Sequence, residues 1–250
     1  MLSIILALAL ILAPSQEVGR RRTLYPSGGG GSIAFDAVCS GCSSSAVQTS
    51  AASTTISWTH VVGGGSHPVL LVMLYKNSGT WTCTYNSVSM TQLGIQADGA
   101  GAEQTALFIL VGPTTGSHTV SCTSSVNNDL EGGSISFTGV NQTGTAGTSW
   151  RSSPPCVNDG GSGTSSISNT VSNAANGDMV VDTAVVFNNP STTTMTKGAS
   201  QTLGFYQHNA LGNTQETGAS YLSATGSTTM TWSITASSFW ASCAVALIPG

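Results

Sequence analysis

The chain has 250 residues, of which 6% are charged, with a formal net charge of −4, against roughly a quarter charged in an average soluble domain. Three of its six basic residues are consecutive, Arg20 to Arg22. The body therefore holds only Lys76, Arg151 and Lys197, too few to neutralise the phosphates of a nucleic acid, and nucleic-acid binding is excluded.

Solubility has to come from Ser, Thr, Asn and Gln, a habit of extracellular, virion and surface-layer proteins. Thirty glycines and abundant β-branched Thr and Val oppose long helices. Leu2 to Ala13 is an uncharged apolar run, shorter than the roughly 20 residues a spanning helix needs, so no transmembrane span is expected. Its length and the small-residue break at Ala13-Pro14-Ser15 fit a signal peptide. Residues 1–22 are thus expected to be a signal peptide or N-terminal leader with a basic flank. Residues 23–32, containing the Ser27 to Ser32 run SGGGGS, form a linker, and 33–250 form a single β-sandwich domain.

After Ile33 to Val38 and a small-residue loop, Thr54 to Val62 sets Ile56, Trp58 and His60 on one face. Pro68 to Thr91 reads as a three-stranded β-meander. Val69 to Tyr75 is continuously apolar, as in a strand buried on both faces. Trp81, Cys83 and Tyr85 then alternate with Thr80, Thr82 and Thr84, as in a half-buried strand. Asn86-Ser87 forms a two-residue hairpin turn. Thr105 to Val111, Ser117 to Thr123 and Glu131 to Val140 complete a first half. Asn141 to Gly163 lacks periodicity and reads as an irregular excursion. Strands resume at Ser165 to Val171, Asp178 to Phe187, Ser200 to His208, Gly218 to Ala224, Ser227 to Thr235 and Phe239 to Ile248. About a dozen strands at this spacing predict an all-β, two-sheet antiparallel sandwich, jelly-roll-like.

Ala34-Phe35-Asp36-Ala37-Val38, Ser57-Trp58-Thr59-His60, Tyr85 to Thr91 (YNSVSMT), Ser136 to Thr143 (SFTGVNQT) and Gly177 to Asp182 (GDMVVD) carry a resemblance. On these segments the chain resembles a group of uncharacterised β-sandwich proteins found among secreted bacterial and phage-encoded sequences. Ser87 departs from the group, which usually has Gly there. The resemblance implies a fold over Ile33 to Pro249 and supplies no catalytic residues.

The histidines are too far apart in sequence for a helix-borne zinc site, and His60 and His118 read as core or edge residues. No nucleophile elbow is present. Glu103, Glu131 and Glu216, with Asp98, Asp129 or Asp178, could supply a glycosidase pair, although their positions at strand ends and in loops favour solvated acids. Asp129 with Glu131, or Asp159 with neighbouring carbonyls, would suit calcium in ligand type but lack a calcium-loop spacing. Phe205-Tyr206 and Phe239-Trp240 are adjacent aromatic pairs, and Trp150 sits in the irregular stretch, so Trp150, Tyr206 and Trp240 are the candidate ligand-binding rings.

Six cysteines with a leader suggest an oxidising compartment. Cys83 to Cys122 is the favoured bridge, Cys39 would pair with Cys42 or Cys156, and Cys243 reads as a buried free thiol. Together these features favour a non-catalytic structural or assembly subunit of a virion or extracellular surface structure. It would have no cofactor or metal and would partner copies of itself or other surface subunits. A carbohydrate-binding adhesin module that takes glycans is the alternative, and a glycan hydrolase the third reading.

Overall fold

The computed structural model describes residues 31–42, 46–48, 52–76, 78–101, 103–152, 155–187, 193–209 and 215–250. The leader and all of the linker but residues 31 and 32 lie outside these. The described residues form strands and no helix. The first half holds β1 (Ala34–Val38), β2 (Val47–Gln48), β3 (Ser53–Val62), β4 (Val69–Lys76), β5 (Trp81–Tyr85), β6 (Val88–Ser89), β7 (Thr91–Ala97), β8 (Gln104–Val111), β9 (Gly116–Asn128) and β10 (Glu131–Thr138). The second holds β11 (Trp150–Arg151), β12 (Cys156–Asn158), β13 (Thr164–Val171), β14 (Asn176–Phe187), β15 (Met195–Lys197), β16 (Thr202–Asn209), β17 (Gln215–Thr225), β18 (Thr228–Ser238) and β19 (Trp240–Leu247).

All strand pairs are antiparallel, as expected of an all-β fold, and they form four sheets where one two-sheet sandwich was expected. The first half has an outer sheet β3-β9-β5-β6 and an inner sheet β1-β10-β4-β8-β7, with β2 also on β10. The second has an inner sheet β11-β19-β14-β17-β16, with β12 also on β19, and an outer sheet β13-β18-β15. The two inner sheets pack on each other: Leu71, Met73, Tyr75, Ile109 and Phe137 share one core with Val181, Val185, Phe205, Ala219 and Val245. Leu70, Val72, Leu74 and Phe108 meet the first outer sheet at Ile56, Trp58, Trp81 and Tyr85. Ala184, Val186 and Trp240 meet the second at Ile167, Met195, Trp232 and Ile234. Four layers result. They explain why β4, β14 and β19 are buried at nearly every position while β3, β9 and β18 alternate: only the outer sheets have a face in water.

The halves are structural repeats. Replacing β3, β4, β5, β7, β8, β9 and β10 by β13, β14, β15, β16, β17, β18 and β19 converts one sheet order into the other. Irregularities repeat too. The register slips between Ser53 and Thr55 on β3 and between Thr164 and Ser166 on β13, and between Gln92 and Gly94 on β7 and between Leu203 and Phe205 on β16. A bulge is a specific local device, so two bulges at equivalent places mark a duplication. The segments Thr115-Gly116-Ser117-His118-Thr119 and Thr225-Gly226-Ser227-Thr228-Thr229, which open the equivalent strands β9 and β18, preserve it in sequence.

The expected meander is corrected. β4 pairs with β10 and β8, whereas β5 lies in the outer sheet against β9 and β6. A strand buried on both faces and a strand with one wet face belong to different layers, so the chain crosses between sheets from β4 to β5. The hairpin turn stands, with Asn86 and Ser87 at φ 49° and 65°, the pattern of a type I′ turn. Residues 141–163, expected to be irregular, contribute β11 and β12, both paired with β19.

Candidate functional site

Charge and hydroxyl groups are distributed in an unusual way. Asp98, Glu103, Glu131, Asp178, Asp182 and Glu216 are buried, and Asp36, Asp129, Asp159, Arg151 and Lys197 are half-buried. No described charged side chain is fully exposed. The wet faces of the outer sheets carry hydroxyls instead. On the first, Thr55 and Thr82 flank Thr123, Ser57 and Thr84 flank Ser121, and Thr59 lies opposite Thr119. On the second, Ser166 and Thr196 flank Ser233, Ser168 lies opposite Thr231, and Thr170 opposite Thr229. Cross-strand hydroxyls bond to one another, as between Thr170 and Thr229 at 2.8 Å. Alternation produces these faces: apart from Val61 at the end of β3, the exposed alternate positions of β3, β9 and β18 are mostly Ser or Thr, while the residues between them enter the core.

The buried acids have individual reasons for their burial. Asp182 accepts hydrogen bonds from the Ser220 amide (3.0 Å) and hydroxyl (2.5 Å) and from Trp232 Nε1 (2.8 Å). Burial nevertheless pushes its carboxyl up to about 7. Glu131, at the start of β10, receives a hydrogen bond from Thr217 across the inner-sheet contact. Burial, together with the fields of Glu103 and Glu216, raises it to about 8. Glu103 is raised to about 8 by burial and by Asp98. Oε2 of both Glu103 and Glu131 has no hydrogen-bond partner, a state that suits a neutral carboxyl far better than a carboxylate. Asp178 is bonded by Arg151 Nε at 2.7 Å. Asp159 accepts from the amides of Gly99 (2.8 Å) and Trp240 (3.2 Å) through Oδ1 and from Gly163 (2.7 Å) through Oδ2. Among the described residues no group of three or more His, Cys, Asp or Glu is placed to hold a metal ion.

His60 is a fully buried core histidine. Its Nδ1 and Nε2 lie 2.9 Å from the hydroxyls of Ser134 and Ser136. Trp58 Nε1 donates to Ser134 at 2.8 Å, and Ser136 donates to Asp36 Oδ2 at 2.7 Å. Since the Ser136 proton goes to Asp36, Ser136 accepts from Nε2–H. Burial lowers its pKa to about 4. The serine stands between histidine and aspartate, the reverse of the order that orients a catalytic base.

A cleft of about 330 Å³ opens at the edge of the second sandwich, lined by Met195, Thr196, Lys197, Leu203, Tyr206 and Trp232. Tyr206 donates to Glu216, and His208 Nδ1 lies 2.5 Å from the same carboxylate. Burial and Glu216 raise the Tyr206 phenol well above its usual value. Of the three rings expected to bind a ligand, Tyr206 alone lines this cleft. Trp150, at 8% exposure, belongs to the core between the inner sheets, and Trp240, at 6%, packs in the second sandwich with Nε1 donating to Thr164 at 2.7 Å. Trp240 offers no free face, whereas Trp150 lines a separate cleft of about 160 Å³ with Thr91, Ile109 and Gly144. Adjacency of two rings in a strand predicts an exposed one only where one side of the sheet is wet, and β19 has protein on both sides. Trp232 and Lys197 were missed by sequence reasoning. Trp232 reads as an ordinary alternating core position, and a lone lysine carries no pattern.

Disulfides join Cys39 to Cys42, Cys83 to Cys122 and Cys156 to Cys243. The reading of Cys243 as a free thiol is corrected. Residue 243 lies directly opposite Cys156 where β12 pairs with β19, and that pairing was hidden inside the apparently irregular stretch. In comparisons with known proteins, no family model matches the chain and no curated protein is similar to it.

Proposed function

We propose that this protein is a non-catalytic structural subunit of a virion or other extracellular surface structure, and that it works by packing its outer faces against neighbouring subunits. The observation that carries this reading is the inversion of charge and hydroxyl groups: acids inside, two ladders of Ser and Thr outside, and no fully exposed charge among the described side chains. A surface without net repulsion associates readily, and neutral hydroxyl faces exchange hydrogen bonds with water for hydrogen bonds with a neighbour at little desolvation cost. The disulfides suit a protein that must persist outside a reducing compartment. The carboxylates do not argue for hydrolysis, because a glycosidase pair has to flank a sugar across an open groove.

Light scattering coupled to size exclusion tests the proposal. Self-association that rises with protein concentration and survives about 0.5 M salt, where exposed charges are screened, is the expected result. A monomer at every concentration, or assembly abolished by salt, would refute it.

A further inference from the structure

We propose that the cleft between β15 and β16 is a binding site for a small amphipathic anion, an apolar ring or short chain bearing one carboxylate or sulfonate. The proposal goes beyond the assembly reading and rests on comparing the two halves of the molecule. In the first sandwich the equivalent edge is closed: β5 pairs with β9 as far as Tyr85 opposite Val120, turns, and continues as β6. Tyr85 is fully buried there, and its hydroxyl donates to the Gly116 carbonyl at 3.1 Å. In the second sandwich β15 stops at Lys197 opposite Trp232, the position Cys83 holds opposite Cys122 in the first. The chain then turns directly into β16. Among the described residues neither a ring equivalent to Tyr85 nor a strand equivalent to β6 follows; Gly198 and Gln201 bond the Thr231 backbone instead, and the cleft opens beside them.

The walls suit an apolar body. Met195, Tyr206 and Trp232 form the floor, and Leu203 stands at the mouth with 44% exposure. The volume is at the lower end of the range for small-molecule sites, roughly 300–1,000 Å³. The rings are braced from behind, Trp232 by its bond to Asp182 and Tyr206 by its bond to Glu216, so little ordering remains to oppose binding. Both acids are fully buried and bonded to the polar tips of those rings.

The head group is chosen by Lys197. Among the described side chains the cations of the folded body are Arg151, paired with Asp178, and Lys197, whose ammonium has the Gly198 carbonyl at 3.3 Å and no carboxylate. An ammonium has three donors, and here at least one is free at the rim of an apolar cleft. A ligand that buries its ring on Tyr206 and Trp232 and turns an anion to Lys197 satisfies both features.

The test titrates the full chain with 8-anilinonaphthalene-1-sulfonate and, separately, with the uncharged N-phenyl-1-naphthylamine. One saturable site for the anionic dye is expected. Lys197→Met should weaken the anionic dye by about tenfold, the worth of a charge-assisted hydrogen bond, and leave the neutral dye within about twofold. Leu203→Asp should weaken both. Both positions are partly exposed, and unchanged thermal unfolding verifies that each variant folds. The proposal is overturned by non-saturable binding, by equal losses of the two dyes in Lys197→Met, by preference for a cationic dye, or by a neutral glycan whose binding depends on Tyr206.

Discussion

Lowering the pH from 8 to 6.5 should stabilise this protein. A carboxyl whose pKa rises on folding holds its proton more tightly in the native state, so stability falls as pH rises between the unfolded and folded values. For Glu103 and Glu131 that window runs from 4.5 to about 8, and for Asp182 from 3.8 to about 7. His60 acts in the opposite sense further down: its folded pKa is about 4 rather than 6.5, so stability is lost as pH falls through that lower window. From pH 8 to 6.5 only the acids contribute. Each pH unit inside a window is worth about 1.4 kcal/mol per group, which gives an upper bound of about 5 kcal/mol. Mutual repulsion among the glutamates and internal relaxation reduce this to roughly 2–4 kcal/mol. At about 2–4 °C per kcal/mol for a chain of this size, Tm should rise by on the order of 5–15 °C. Circular dichroism melts and urea titrations at the two pH values measure it. Glu131→Gln, neutral at both, should remove about two-fifths of the gain. Equal stability at the two values, or greater stability at pH 8, would show that these carboxyls are ionised in the fold and would sink the argument.

The remaining expectations are simpler. Thr119→Lys and Thr231→Lys each place a charge at the centre of an outer face and should weaken self-association by about tenfold at low salt, with recovery as salt screens the repulsion; unchanged association would move the interface elsewhere. Non-reducing peptide mapping should recover Cys156 linked to Cys243, and replacing both by Ala should cost about 2–4 kcal/mol. Alkylation of Cys243 in the native protein would contradict that pairing. Gly133→Ala would bring a methyl to 2.5 Å from the Phe205 ring across the inner-sheet contact and should destabilise by about 1–3 kcal/mol; a neutral effect would mean that the inner sheets are not closely packed.

Strand identity was legible because alternation and continuous apolar runs report directly on how many faces of a strand are wet. The layering was not, although its cause is visible in Val69 to Tyr85. A doubly buried run followed at once by an alternating one looks like a hairpin when only sequence distance is considered, and like a change of layer when the wet faces are counted. The fates of the acids were illegible for a different reason. Glu131 begins a strand and Glu216 stands near the start of another, where water is the default. Glu131 meets the second inner sheet through Thr217, and Glu216 is engaged by Tyr206 and His208 of the neighbouring strand, and nothing local announces either. Cys243 shows the same limit, since small apolar neighbours surround a free thiol and a bridged one alike.

The duplication separates what the fold requires from what is particular to one half. Leu71 and Val181 occupy equivalent places, as do Ile135 and Val245, and all four lie in the core between the inner sheets. At these positions that interface takes apolar side chains from both copies. Val72 and Asp182 are also equivalent, one step along the same strands and facing outward toward each half's own outer sheet. There the copies differ: the first half has Val72, Phe108 and the Cys83–Cys122 bridge, and the second has Asp182, Ser220, Trp232 and Lys197. Replacing an apolar, cross-linked core by a hydrogen-bonded acid and an unpaired lysine does not improve packing, because a buried carboxyl costs more than a valine unless fully satisfied. The exchange runs both ways: the first half buries His60, Ser134 and Ser136 where the second has Val171, Ala244 and Ala246, and Thr183 stands for Met73 at the inner-sheet contact, bonded to Tyr75. Each half thus buries its own hydrogen-bonded network against its outer sheet, and a satisfied network is the condition on which a core tolerates polar groups. Only in the second half does that network border the cleft, through Trp232.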